Sequence, residues 1–196
     1  MRWLADNCGL EPAEMDKAYQ QNYRQGEWTG VEAEMRATYR TQRQSVGESL
    51  VEVRQSRVGL LTFYGDYGSG KTFALQIAVN EARADMVESF YAPFSSILAH
   101  LRQLVAQKQD NSSFLSRLFD IPVLAIDEVT RFNDTGWAME QLFVLADTRY
   151  RRRQSHLTLF ATNDDPRQML DTGESIGYLM SRCRQGDLFE LRGDMR

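Results

Sequence analysis

The chain has 196 residues, 42% hydrophobic and 26% charged, with a formal net charge of −4. That length fits one domain able to bury a core without staples, and the composition is ordinary for a globular protein. The acidic balance argues against a protein that coats DNA by bulk charge, and no apolar run approaches the ~20 residues a membrane span needs. Cys8 and Cys183 stand far apart and, with His100 and His156, show no metal-ligand spacing. Each cysteine reads as a small buried hydrophobe. Asp6 arrives before any apolar stretch can form, which argues against a signal peptide. The expected location is cytoplasmic, with no membrane partner.

In chain order, the front reads as helical. Val31, Met35, Tyr39, Val46, Leu50 and Val53 share one stripe when wound as a helix, and Gly47 leaves one long helix or two shorter ones open. A buried strand is expected at 58–64, then a glycine-rich turn and a helix over about 71–84. A second strand follows at 87–92. Ile97, Leu98, Leu101, Leu104 and Val105 give an amphipathic helix, ended by Gln109, Asp110, Asn111 and Ser112. A third strand at 122–126 runs into Asp127 and Glu128. A helix over 136–153, a strand at 156–161, a helix over 175–185 and a strand at 188–191 complete the pattern. Such alternation predicts right-handed crossovers and a five-stranded parallel sheet covered on both faces, an α/β three-layer αβα sandwich. The expected organisation is a helical segment, 1–57, packed on a core over 58–196.

The run Gly65, Asp66, Tyr67, Gly68, Ser69, Gly70, Lys71, Thr72 matches a P-loop, between a predicted strand and a predicted helix as that motif requires. Its glycines allow angles that turn successive N–H groups toward one point, and the helix N-terminus adds partial positive charge. Lys71 can reach the β- and γ-phosphates of ATP, and the Thr72 hydroxyl can ligate Mg2+. The third strand ends in two carboxylates at the end of the sheet where ligands bind. Asp127 is the expected magnesium holder and Glu128 the base for a lytic water. Successive strand residues point opposite ways, which suits two separate jobs. Asn163, at the end of the fourth strand, can bond the γ-phosphate and the water with its amide, or simply form a turn.

This order of motifs resembles the AAA+ ATPases, and within them the DnaC-type helicase loaders and IstB-type transposition ATPases. The resemblance is carried by several stretches over nearly the whole chain. They are Asp6, Asn7, Cys8, Gly9 and Leu10 with Tyr19 and Tyr23; Ala125, Ile126, Asp127, Glu128 and Val129; Asp147, Thr148, Arg149 and Tyr150; Ala161, Thr162 and Asn163; and Leu179, Met180, Ser181, Arg182 and Cys183. It implies a P-loop NTPase (AAA+) core without a C-terminal lid, and ATP held between subunits in a ring or spiral, with Arg182 supplied in trans. Ile176, Leu179, Met180 and Cys183 form an apolar stripe from whose flanks Arg182 and Arg184 leave, free to reach across an interface. Arg196 partly matches a terminal nucleotide-sensing position, although Met195 stands where the pattern has serine.

The resemblance implies an ATP-dependent helicase loader that assembles on single-stranded DNA and engages a replicative helicase. An alternative is a transposition ATPase that assembles on duplex DNA and activates a transposase. A small-molecule P-loop kinase is a distant third, disfavoured by Glu128 and Asn163. Arg149, Arg151, Arg152 and Arg153 crowd a predicted helix end, where the dipole favours cations. Interface, DNA and solvated readings are open for them. His100, Arg102 and Lys108 lie where initiator-type relatives place a helix that lines a DNA pore.

Overall fold

The computed structural model describes residues 59–84, 86–131, 135–168 and 175–192. The helical stripe at 31–53, the 1–57 segment, Cys8, Arg196 and the motif residues before 59 lie outside them. Among the described residues the order is β1 (Leu60–Tyr64), α1 (Lys71–Ala84), β2 (Ser89–Pro93), α2 (Phe94–Ala106), α3 (Ser112–Asp120), β3 (Val123–Asp127), α4 (Gly136–Arg151), β4 (Leu157–Thr162), α5 (Ser175–Cys183) and β5 (Asp187–Glu190).

The five strands form one sheet in the order β2-β3-β4-β1-β5, and every pairing is parallel. Alternation along each strand sorts the core into two layers. Leu61, Phe63, Tyr91, Val123, Ala125, Leu159 and Ala161 meet α1 through Leu75, Ile77, Val79 and Ala82. Leu60, Phe90, Leu124, Ile126 and Phe160 meet α2, α3, α4 and α5 on the other face. This is the predicted three-layer αβα sandwich.

Strand and helix limits shift by a residue or two from expectation, and one element is new. The polar stretch at 109–112 does more than end a helix: α3 begins there at once. Asp110 accepts from the Ser112 amide at 2.9 Å and from its hydroxyl at 2.5 Å. Phe114 and Leu118, four apart, then bury one face. The start of α4 is conventional: Thr135 is extended and its Oγ1 accepts from the Ala138 amide at 3.2 Å. Cys183 is fully buried in the core as expected, and burial pushes its thiol up to about 12. No helix among the described residues is long and apolar enough to cross a membrane.

Arg149 corrects an expectation. Instead of meeting an interface or DNA from a crowded helix end, it is completely buried. Its Nη1 donates to the carbonyls of Ile121 at 2.6 Å and Phe119 at 3.0 Å, Nη2 to that of Leu157 at 2.7 Å, and Nε to the Thr158 hydroxyl at 2.8 Å. It therefore ties α3 and the starts of β3 and β4 together. Burial lowers its pKa to about 9, so at neutral pH the carbonyls bind the charged form. Its neighbours also have partners within the chain. Arg151 pairs with Asp147 at 2.8 Å, Arg152 pairs with Asp120, and Arg153 donates to the Tyr150 carbonyl at 2.9 Å.

Candidate nucleotide-binding site

The carboxyl ends of β1, β4 and β3 lie side by side, with Tyr64 opposite Thr162 and Ile126 opposite Phe160. A ligand crevice is expected at such an edge, where the strand order reverses. A cleft of about 560 Å³ opens there, lined by residues including Tyr67, Gly68, Gly70, Lys71, Thr72 and Phe73 from the glycine loop and α1. Asp127, Glu128, Thr130 and Asn163 line its other side. The structure thus brings the P-loop, the two carboxylates and the asparagine to one cavity.

Glycine is required at the loop by geometry. Gly65 has φ of +139°, and a Cβ there would lie 2.1 Å from the Leu191 carbonyl oxygen, so the backbone just after β5 leaves no room for a side chain. Gly68 and Gly70 also have positive φ, at 82° and 91°. Lys71, 8% exposed, donates to the Gly65 and Asp66 carbonyls at 2.7 Å each and lies 3.3 Å from the Ser69 hydroxyl. Burial lowers its pKa, against the raising influence of Asp127 and Asp66. Its ammonium spans the loop that a phosphate would fill.

Alternation points Asp127 to the α1 face of the sheet, the face of Val123 and Ala125. There Thr72, in the first turn of α1, donates to Asp127 Oδ2 at 2.6 Å. Tyr91, on the same face of β2, donates to the same oxygen at 3.1 Å, and the Glu128 amide donates to Oδ1 at 2.8 Å. Burial raises the Asp127 pKa, while the three hydrogen bonds oppose the rise. Tyr91 is not foreseen by the sequence: on the preceding strand, 36 residues before Asp127, nothing in its local pattern ties it to the acids.

A carboxylate and a hydroxyl at hydrogen-bond distance form a hard oxygen pair that suits Mg2+, which binds through one or two protein ligands and substrate phosphates. No group of three or more His, Cys, Asp or Glu able to hold a metal occurs among the described residues. The donor set fits an ion shared with a nucleotide rather than one caged by protein.

Glu128 does not continue the strand alternation. Its φ is +51°, a left-handed angle uncommon outside glycine, and it leaves β3 to line the same cleft as Asp127. Strand alternation is therefore not what separates the two acids. Its carboxylate pairs with Arg131 at 3.0 Å, and Arg131 lies 5.9 Å from the ring centre of exposed Tyr67. Asn163 follows β4 at the cleft wall, beside Thr162, whose hydroxyl bonds Thr130 at 3.1 Å and accepts from the Asp164 amide at 3.1 Å. The Thr130 bond ties the segment that follows β3 to the end of β4.

Arg182 lies outside the residues that line this cleft, and it is not free as expected. Its Nη2 donates to Asp147 Oδ1 at 2.9 Å and to the Tyr178 hydroxyl at 2.6 Å. The guanidinium carbon sits 4.7 Å from the ring centres of both Tyr150 and Tyr178. Leu179, Met180 and Cys183 are buried and Ile176 packs against the core, as the stripe predicted.

The chain has the fold of the AAA+ P-loop NTPase domains. No protein-family model matches it, and no curated protein matches it in sequence. Solved structures do. It is similar to a DnaC helicase loader at 16% identity and a TM-score of 0.71, over 93% of this chain and 100% of that one. A DNA replication initiation factor is similar at 20% identity and a TM-score of 0.68, over 88% of this chain and 48% of that one. The replication initiator DnaA bound to AMPPCP and single-stranded DNA is similar at 21% identity and a TM-score of 0.61, over 81% of this chain and 46% of that one. The chain spans about half the length of the two initiators, and at these identities the likeness is one of fold.

Proposed function

We propose that the chain is an ATPase that binds MgATP in this cleft and acts as a helicase loader, assembling with copies of itself on single-stranded DNA and engaging a replicative helicase. The convergence of Lys71, Thr72 and Asp127 at one glycine loop, with Glu128 and Asn163 on the same cavity, carries the reading. The similarity to a DnaC helicase loader and to a DnaA bound to a nucleotide analogue and single-stranded DNA supports the partners.

On this reading the amides of 65–72 and the α1 N-terminus receive the phosphates. Lys71 exchanges the Gly65 and Asp66 carbonyls for β- and γ-phosphate oxygens. Mg2+, held by Thr72 and Asp127, would neutralise charge shared between those phosphates. Glu128 leaves Arg131 to take a proton from the attacking water, and the Asn163 amide orients that water. Arg182 of a neighbouring copy supplies positive charge at the γ-phosphate. Such arginines are worth ~10³–10⁵ in rate where measured.

Purified protein should bind MgATP and raise the amount of replicative helicase placed on single-stranded DNA in the presence of ATP. Lys71→Ala should bind MgATP roughly tenfold to a hundredfold more weakly and lose that stimulation at the same ATP concentration. Binding of MgATP with no effect on any helicase would leave the nucleotide site standing and remove the loader role.

A further inference from the structure

Asp147, Tyr150 and Tyr178 surround Arg182 in a way that the reading above does not use. The geometry points to Asp147 as a positioning residue which, with Tyr178, presents Arg182 to the nucleotide of a second copy of the chain. This rests on the proposal that Arg182 completes a neighbour's site.

Of the arginine's three nitrogens, one is bonded within the chain and one is buried. Nη2 makes both bonds, to Asp147 and to the Tyr178 hydroxyl, and Nε is buried without a partner. The edge left to meet a ligand is Nη1. The rings of Tyr150 and Tyr178 confine the guanidinium plane. A long, flexible side chain is thereby fixed before any partner arrives, which removes most of the ordering cost of binding.

Charge distinguishes a mount from a latch. A carboxylate that belonged to Arg182 alone would neutralise it and would have to be displaced by phosphate. Asp147 instead divides its oxygens, giving Oδ1 to Arg182 and Oδ2 to Arg151 at 2.8 Å. One negative charge between two guanidiniums leaves the group net positive, which suits an approaching phosphate. Beside it, Phe143 and Tyr178 pair at 4.6 Å between ring centres, and both are exposed. An arginine held between two tyrosine rings, one of them part of an exposed aromatic pair, is the chemistry of an interface centre. The basic charge matches the nucleotide phosphates at a second copy's cleft.

The test is steady-state ATP hydrolysis across protein concentrations for Asp147→Asn, Asp147→Glu, Tyr178→Phe, Arg182→Ala and the double variant Asp147→Asn/Arg182→Ala. Asp147→Asn should lower the maximal rate roughly tenfold to a hundredfold, as misplacement of a reacting group does. Its Kd for a fluorescent ATP analogue and its thermal midpoint should stay at wild-type values. Asp147→Glu should recover part of the rate, and Asp147→Asn should add no further loss to Arg182→Ala. Tyr178→Phe, which removes one hydroxyl from a half-exposed ring, should show a smaller loss of the same kind and decides the matter if Asp147→Asn fails to fold. Wild-type or faster turnover in both Asp147→Asn and Tyr178→Phe overturns the proposal, as does an equal fold-loss from Asp147→Asn with or without Arg182. Arg182→Ala at the wild-type rate would instead remove the trans-arginine reading, and the mount with it.

Discussion

Two buried cations occupy opposite ends of the sheet, and both bind backbone carbonyls. Lys71, at the carboxyl end, holds the Gly65 and Asp66 carbonyls of a single glycine loop on the wall of an open cleft. Arg149, at the amino end, holds carbonyls from segments far apart in sequence, around 119–121 and 157, and has no exposed surface. Burial lowers the pKa of each, so titration does not tell them apart. What differs is whether the acceptors can be exchanged. The lysine's acceptors border solvent and can be traded for phosphate oxygens. The arginine's acceptors belong to the joint between α3, β3 and β4, and releasing them opens the core.

The contrast is testable, and the largest effect should come from the fixed cation. Arg149→Met leaves several buried carbonyls unpaired and should cost about 3–5 kcal/mol of stability in denaturant titration. A loss under about 1 kcal/mol would mean that the joint is held by packing instead. At the cleft, Glu128→Gln should retain MgATP affinity while slowing turnover by roughly 10²–10⁴ in single-turnover kinetics. Unchanged turnover would move the base elsewhere. Lys71→Ala should alter unfolding little but weaken ATP binding roughly tenfold to a hundredfold, read by calorimetry, as one charge-assisted contact is lost.

The smallest effect concerns pH. The Asp127 pKa is raised in the folded chain, mainly by burial. The folded state then holds this proton more tightly than the unfolded state. The resulting stability is present in full below the ordinary carboxylate pKa and is lost as pH rises through the folded value. Asp127→Asn should remove that fall from the pH–stability curve without nucleotide, and an identical curve would contradict the assignment.

Much of this was legible in the sequence because the signals are local. The P-loop needs its residues at fixed spacing, and each strand declares itself by a short apolar run, so 65–72, Asp127 and Asn163 could be placed together in advance. Contacts between distant elements could not. Tyr91 reaches Asp127 from a neighbouring strand 36 residues earlier in the chain, and Arg149 sits in a run of arginines whose members look alike until the fold buries one of them. The Asp147, Arg149 and Tyr150 stretch shows the limit most clearly. It was visible as one motif, yet its residues divide between a core joint and the mount of Arg182, because successive helix positions face different neighbours. The helix α3 was hidden by its short length, and the turn of Glu128 by the assumption that the strand continued.

The most direct test of the account is the ATPase rate per subunit as a function of protein concentration, with single-stranded DNA present. Sites completed by the Arg182 of a second copy predict a rate that climbs with concentration and then levels off. A substantial rate that is the same at every concentration would mean each chain carries a complete site of its own, contradicting assembly through Arg182.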